Sequence, residues 1–181
     1  MEPPTIQTKR LEIRALTVDD AELFYAYRSL PEVYRFQQWM PESAAEVVQF
    51  LTKMHLHGFD AADTWFQLGL FLKSHDELIG DMGLHFLAPD NEQVEISFTI
   101  SPAHQRRGYA QEAATAVMVH LFQRMNKHRI IALVDPNNND SISLLEKLGL
   151  RKEGHFRKSI RIRGVWEDDL LYAVLREEWQ P

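Results

Sequence analysis

Apolar and polar positions along the chain change period several times, and each change marks an element. After Pro3 and Pro4, Leu11, Ile13 and Leu16 alternate loosely with Glu12 and Arg14, which predicts a first strand ending near Ala15. Residues 1–7 are expected to form a flexible lead. Thr17 or Asp19 then caps a helix striped by Ala21, Leu23, Phe24, Tyr27 and Leu30, which Pro31 stops because proline lacks the N–H a helix interior needs. Ser43 with Glu46 three residues later has capping-box spacing, and Val47, Val48, Leu51 and Met54 carry a second amphipathic helix to Gly58. From Trp65 the period becomes two: Phe66, Leu68, Leu70 and Leu72 alternate, 73–77 turns, and Leu78 to Phe86 pairs back as a hairpin. After a polar loop at Pro89 to Asn91, Val94, Ile96, Phe98 and Ile100 alternate strictly with Glu95, Ser97 and Thr99, so the three polar side chains share one face.

From Gly108 the period returns to helical, with apolar residues at 110, 113, 114, 117, 118, 121, 122 and 125. Ile130 to Val134 is a continuous apolar run, which predicts a strand covered on both faces, and strand, helix and strand together make a right-handed parallel crossover. A polar loop over 135–140 leads to a short helix from Ser141 to Leu148 closed by Gly149, and Arg151 to Ile162 and Trp166 to Leu175 read as strands around a turn at Arg163-Gly164. No internal repeat or linker divides the chain, so residues 1–181 are expected to be one α/β domain.

Composition narrows the functions open to such a domain. With 45% hydrophobic and 25% charged residues the chain resembles an ordinary globular protein, which excludes fibrous and low-complexity classes. Twenty Lys plus Arg against 26 Asp plus Glu leave a formal charge of -6, which disfavours a DNA partner. The absence of cysteine removes disulfides, thiolate nucleophiles and Cys-ligated metal centres. Neither a signal-type leader nor an apolar run of ~18 residues is present, so a cytoplasmic protein without a membrane partner is expected.

The chemistry concentrates in Ser101-Pro102-Ala103-His104-Gln105-Arg106-Arg107-Gly108-Tyr109-Ala110, between the alternating strand and the alanine-rich helix. Free N–H groups at a helix start suit a diphosphate, and Gly108 lets it approach the main chain; a tight turn using glycine for its φ is the plainer reading of the same residues. The loop matches neither the mononucleotide nor the dinucleotide phosphate-binding pattern. Gln105-x-x-Gly108-x-Ala110 resembles the acetyl-CoA pyrophosphate loop of the GCN5-related N-acetyltransferases (GNAT). Asn138-x-x-Ser141 followed by Leu145-Glu146-Lys147-Leu148-Gly149-Leu150 resembles the signature of the RimJ/RimL-type branch, whose namesakes acetylate ribosomal-protein N-termini. Thr8-Lys9-Arg10-Leu11-x-x-Arg14 at the start, and Gly164-x-Trp166-x-Asp168-x-x-x-Tyr172 with Glu178-Trp179 at the end, are similar to the same branch.

The resemblance implies a single-domain GNAT-like α/β fold, with a mixed, mostly antiparallel sheet around a central parallel crossover and helices on both faces. It implies an enzyme that moves acetyl from acetyl-CoA to a primary amine by direct attack. A protein N-terminal α-amino group is the expected acceptor, with a polyamine or aminoglycoside as the small-molecule alternative and a non-catalytic acyl-CoA-binding module as the rival from another class. By the same resemblance Gln105, Arg106, Arg107, Gly108, Tyr109 and Ala110 would hold the pyrophosphate. Phe98, Thr99 and Ile100 would bind the pantetheine arm through their backbone. Asn138 and Ser141 would sit near the thioester, with Ser141 donating to the leaving thiolate, serving as a helix N-cap, or both. Glu95 is the candidate base on the strand face beside the acetyl site, against the plainer reading of a solvated strand carboxylate. Many family members have a tyrosine acid where Leu145 stands here, so Ser141, water or Tyr109 would take that part. Tyr34, Phe36 and Trp39, with Met40, would wall the acceptor groove or simply pack in the core. No metal is expected, because His55 and His57 at i and i+2 diverge on a helix. Lys152, Arg157, Lys158, Arg161 and Arg163 read as a solvated hairpin face, with ribosomal RNA contact the minority reading, and dimerisation is a family-level expectation.

Overall fold

The computed structural model describes residues 1–181, and eight strands form one sheet in the order β1-β2-β3-β4-β5-β6-β8-β7. Strand β1 (Ile6–Gln7) pairs antiparallel with β2 (Leu11–Ala15). The expected flexible lead is therefore tied down at its last two residues, because Thr8 closes the turn: its N–H donates to the Leu11 carbonyl at 2.9 Å and its Oγ1 accepts from the Leu11 N–H at 2.8 Å. A 3-10 turn at Val18–Asp20 leads into α1 (Ala21–Arg28): Thr17, not Asp19, is the N-cap of the turn, where the Asp20 carboxylate accepts from the Thr17 N–H at 2.9 Å, and Asp20 is the N-cap of α1 itself. Pro31 does more than stop α1. It takes the first position of a short α2 (Pro31–Tyr34), where a missing N–H leaves no bond unmade.

Helix α3 (Ala44–His57) starts as its spacing predicts, with Ser43 Oγ accepting from the Glu46 N–H at 3.2 Å. The second half of the box is not made. The Glu46 carboxylate accepts instead from the Glu42 N–H at 2.7 Å and from Trp39 Nε1 at 2.9 Å, which anchors the segment before the helix.

Strands β3 (Thr64–Leu72), β4 (Glu77–Phe86) and β5 (Gln93–Ile100) form an antiparallel meander. The chain then passes through α4 (Tyr109–Val119), a π-helical turn at His120–Arg124, and β6 (Arg129–Val134), which lies parallel to β5. Helix α5 (Asn139–Lys147) follows, and β7 (Arg151–Ile162) and β8 (Val165–Leu175) close the sheet as a hairpin with β8 beside β6. Helices α1 and α3 cover the face that carries Asp81 and Thr99, and α4 and α5 cover the face of Val94 and Ile96. Ala113 and Ala114 are fully buried, their small side chains letting α4 approach the sheet closely.

Strand β6 departs from the expected two-sided burial. Ile130, Ala132 and Val134 are buried on the α5 side, whereas Leu133 is 37% exposed on the other. The reason lies in the pairing: β5 and β6 are in register only at Gln93↔Arg129, Val94↔Ile130 and Glu95↔Ile131. Both strands continue beyond that point without a partner on the facing edge, so they part into a gap, and the outer face of β6 looks into open space.

Candidate active site

A cavity of about 360 Å³ fills this gap. Its walls come from both faces of the sheet. Glu95, Ile96, Ser97 and Phe98 of β5 face Ala132, Leu133 and Val134 of β6, with Asn138, Ser141 and Leu145 on the α5 side and Phe36, Trp39, Phe50, Trp65 and Gln67 on the α1–α3 side. The cavity therefore passes through the sheet where pairing fails. Main-chain groups on the free edge of β5 are available there to an extended ligand, as backbone groups without a ladder partner need to be satisfied.

At the α4 end, Arg106 (φ 60°) and Gly108 (φ 78°) are left-handed, a geometry that turns successive N–H groups toward one point. The N–H groups of Arg106, Arg107 and Gly108 make no backbone hydrogen bond, and the first turn of α4 adds its own unpaired donors and the positive end of its dipole. A Cβ at Gly108 would meet only Arg10 Nη2, at 3.5 Å, so the space above the glycine is open. Arg10, immediately before β2, holds this loop. Its Nη1 donates to the Arg107 carbonyl at 2.9 Å, its Nε donates to Glu112 at 2.6 Å, and its guanidinium lies 4.2 Å from the centre of the Tyr109 ring. The site fits a diphosphate.

Several expected contributors have other duties. The Gln105 N–H turns back to the Pro102 carbonyl, and its side-chain amide donates to the Ile100 carbonyl at 3.0 Å, pinning the loop to the end of β5. Arg106 and Arg107 point to solvent, and Tyr109 lies outside the cavity between Arg10 and His104, away from any acid role. Phe98 lines the cavity; Thr99 and Ile100 lie beyond its wall, and Thr99 Oγ1 accepts from Gln37 Nε2 at 3.3 Å.

Asn138, not Ser141, is the N-cap of α5: its Oδ1 accepts from the Ser141 N–H at 3.2 Å. Ser141 Oγ has no hydrogen-bond partner and lines the cavity, free to donate to a ligand. Leu145, one turn on, presents only methyl groups to the same wall.

Glu95 faces this space from β5, mostly buried. Burial pushes its carboxyl above the usual carboxylate range, and the neighbouring His85 pulls the other way. His85 stands opposite Glu95 on β4, its Nδ1 3.4 Å from Glu95 Oε2 and its Nε2 3.3 Å from Asp63 Oδ1, with the ring stacked 4.8 Å from Trp65. Asp63 is 79% exposed, so the row Glu95, His85 and Asp63 runs from the cavity to solvent.

Phe36 and Trp39 wall the cavity, but Tyr34 does not. Tyr34 lies under Arg163, whose guanidinium donates to the carbonyls of Tyr34 (3.0 Å), Arg35 (3.0 Å) and Gln37 (3.4 Å). Trp39 serves both expected purposes, since its ring also packs 4.8 Å from Phe50. His55 is spent on the Leu16 carbonyl at 2.7 Å.

Sequence reasoning passed over Asp169, Asp135 and Gln67. Asp169 lines the cavity from β8; burial, then the charges of Asp135 and Glu95, raise its carboxyl to about 6. Gln67 is 6% exposed on β3, and its Oε1 meets no donor. The alternation along β8 carried the signal for Asp169, which falls in phase with Leu171 and Ala173. Only the β6–β8 pairing shows that this phase faces the gap.

Comparison with known proteins identifies the family. A family model described as the acetyltransferase (GNAT) domain matches residues 10–151. The uncharacterized N-acetyltransferase YnaD of Bacillus subtilis is 34% identical over 174 residues, 96% of this chain and 98% of its own length. The ribosomal protein uS5-alanine N-acetyltransferase of Escherichia coli is 29% identical over 127 residues, 70% of this chain and 66% of its own. The crystal structure of a GNAT-family acetyltransferase from Bacillus anthracis superposes with a TM-score of 0.84 at 31% identity, covering 97% of this chain and all of that one. The chain belongs to the GNAT acetyltransferase family and is an N-acetyltransferase.

Proposed function

We propose that this enzyme transfers acetyl from acetyl-CoA to a protein N-terminal α-amino group, with Glu95 as the base and Ser141 as the donor to the departing sulfur. The observation that carries the reading is the unpaired β5–β6 gap, which places a buried carboxylate and a free hydroxyl on one cavity. The thioester lies along β5, its diphosphate at the α4 start, and the acceptor enters from the α1–α3 side. An α-amino group has a pKa of ~7.7–8.0 against ~10.4 for lysine, so it needs less help to lose its proton near neutral pH, and a carboxylate whose proton affinity burial has raised is suited to take it. Glu95 accepts that proton, and His85 and Asp63 offer it a route to solvent. The amine nitrogen then attacks the carbonyl carbon, the C–S bond breaks with Ser141 Oγ–H hydrogen-bonded to the departing sulfur, and the proton shed by the nitrogen as it becomes the amide passes to the thiolate, which leaves as CoA thiol. No covalent enzyme intermediate forms.

Thiol release measured with acetyl-CoA and a panel of amines tests the acceptor. Peptides with a free α-amine should accelerate release, and the same peptides blocked at the N-terminus but carrying lysine should not. Release with blocked peptides or small amines alone would overturn the N-terminal reading. The E. coli relative, named as a ribosomal protein uS5-alanine N-acetyltransferase, points to a polypeptide acceptor.

A further inference from the structure

The cavity is short of positive charge. Arg28 is the one basic side chain on its wall, and it is committed: its Nε donates to Asp81 at 3.1 Å, its Nη2 donates to the other Asp81 oxygen, and its Nη1 donates to Gln37 at 3.3 Å. Asp168 is likewise answered, by His155 Nε2 at 2.8 Å and the Lys158 N–H at 2.9 Å. Asp169 has neither a hydrogen bond nor an ion pair. Continuing the β6–β8 register one step past Val134↔Leu170 sets it beside Asp135, whose Oδ1 takes only the neutral donors of Asn137. Two carboxylates at the mouth of a partly dry cavity repel each other and the nearby Glu95, which is unfavourable in the empty protein and is relieved by a cation.

A second observation is independent of these carboxylates. Gln67 is buried on β3 on the opposite flank, with Oε1 lacking any donor. It lies two strands from β5, about 10 Å away, beyond a cosubstrate seated in the β5–β6 gap. A buried amide oxygen without a partner is unfavourable, and the group that answers it in this cavity has to bring an N–H or O–H of its own.

We propose that the acceptor carries a second, cationic nitrogen besides the amine that is acetylated, and that Asp169 with Asp135 forms the subsite holding it. The substrate class is then an amine with two cationic centres, while Gln67 takes an N–H of the acceptor at the other end. The inference rests on the acetyl-transfer reading for its placement of the reacting amine at Glu95. That amine must be neutral to attack, so it leaves the charge of Asp169 unanswered; a second cation answers it throughout the reaction. The chemistry has two sources, a basic side chain close to a polypeptide N-terminus or a free diamine.

Matched acceptors separate them. Acetyl transfer is measured at pH 7.5 with 1,4-diaminobutane against 1-aminobutane, and with a peptide starting Ala-Lys against one starting Ala-Leu. At least one pair should favour its dicationic member tenfold or more in kcat/KM, and the pair that does so identifies the source. In Asp169→Asn that preference should fall to threefold or less. Ratios near one in both pairs, or a preference that survives in Asp169→Asn, would overturn the proposal. Calorimetry with the CoA-loaded protein distinguishes its failure from that of the acetyl-transfer reading. Tighter binding of 1,4-diaminobutane than of 1-aminobutane, lost in Asp169→Asn but without acetylated product, would sustain the subsite and sink the acceptor assignment. Equal binding would sink the subsite whatever the turnover.

Discussion

Glu95 and Asp169 are both held above the ordinary carboxylate range, and the difference in cause gives each a separate test. Glu95 is raised by burial against the pull of His85, which suits a base that must take a proton and pass it on. Glu95→Gln should lower turnover by about a hundredfold at pH 7, and by much less near pH 9, where the amine is already neutral. A loss of equal size across the pH profile would assign Glu95 a structural part. Asp169, raised to about 6, binds its proton more tightly folded than unfolded. Its contribution is therefore full below its unfolded pKa of ~3.9 and is lost as pH rises through about 6. Asp169→Asn should melt higher than the parent at pH 7.5, with the difference vanishing toward pH 4. A difference independent of pH would contradict this origin. Much of this chemistry was legible at the level of single residues: strict alternation put Glu95 on the polar face of β5. The cap of α5 was not, because Asn138 and Ser141 are equally good caps by composition and only the backbone angles choose between them.

Elements aim the site, and here local and tertiary demands compete. The phosphate loop depends on two left-handed residues, and Gly108 is the one a ligand must approach. Gly108→Val places a branched side chain at φ +78°, at a strain of about 1–3 kcal/mol, and fills the open space above the loop. The acetyl-CoA dissociation constant should rise at least tenfold by calorimetry, with the melting temperature falling by only a few degrees. Unchanged affinity would remove the loop from the cosubstrate site. On the other face, the loop over 36–39 is held by a chain of polar contacts. Asp81, fully buried, anchors Arg28 and Tyr27; Arg28 reaches Gln37; and Gln37 reaches Thr99. Asp81→Asn leaves a buried guanidinium without its counter-charge and should destabilise the protein by about 3–5 kcal/mol, read by chemical denaturation. A change below about 1 kcal/mol would mean that the pair is not desolvated as it stands. Sequence periodicity found α1, α3, α4, α5 and seven strands. It misread β6 because a continuous apolar run looks the same whether its second face meets a helix or a cavity.

At the scale of the whole molecule, the candidate active site is a seam between two halves that share one sheet: strands β1–β5 with α1–α3, and strands β6–β8 with α5. Neither half closes the cavity alone. The insertion of β8 between β6 and β7 brings the β7–β8 turn back across to α2, a contact invisible in the sequence, where Arg163 reads as one charge in a solvated basic run. In the fold it is a clasp, donating to the carbonyls of Tyr34, Arg35 and Gln37 from the far hairpin. Its three bonds are exposed, so together they amount to about 1–2 kcal/mol, small beside global stability but comparable to the free energy that opens a surface loop. Arg163→Ala should therefore leave the melting temperature within a few degrees of the parent while amide exchange over residues 34–39 quickens by about tenfold. Phe36 and Trp39 line the cavity at the end proposed for the acceptor, so KM for the acceptor should rise severalfold with affinity for acetyl-CoA unchanged. Exchange that stays slow, or a loss shared equally by cosubstrate and acceptor, would show that the halves are held together elsewhere and that the hairpin tip plays no part in closing the site.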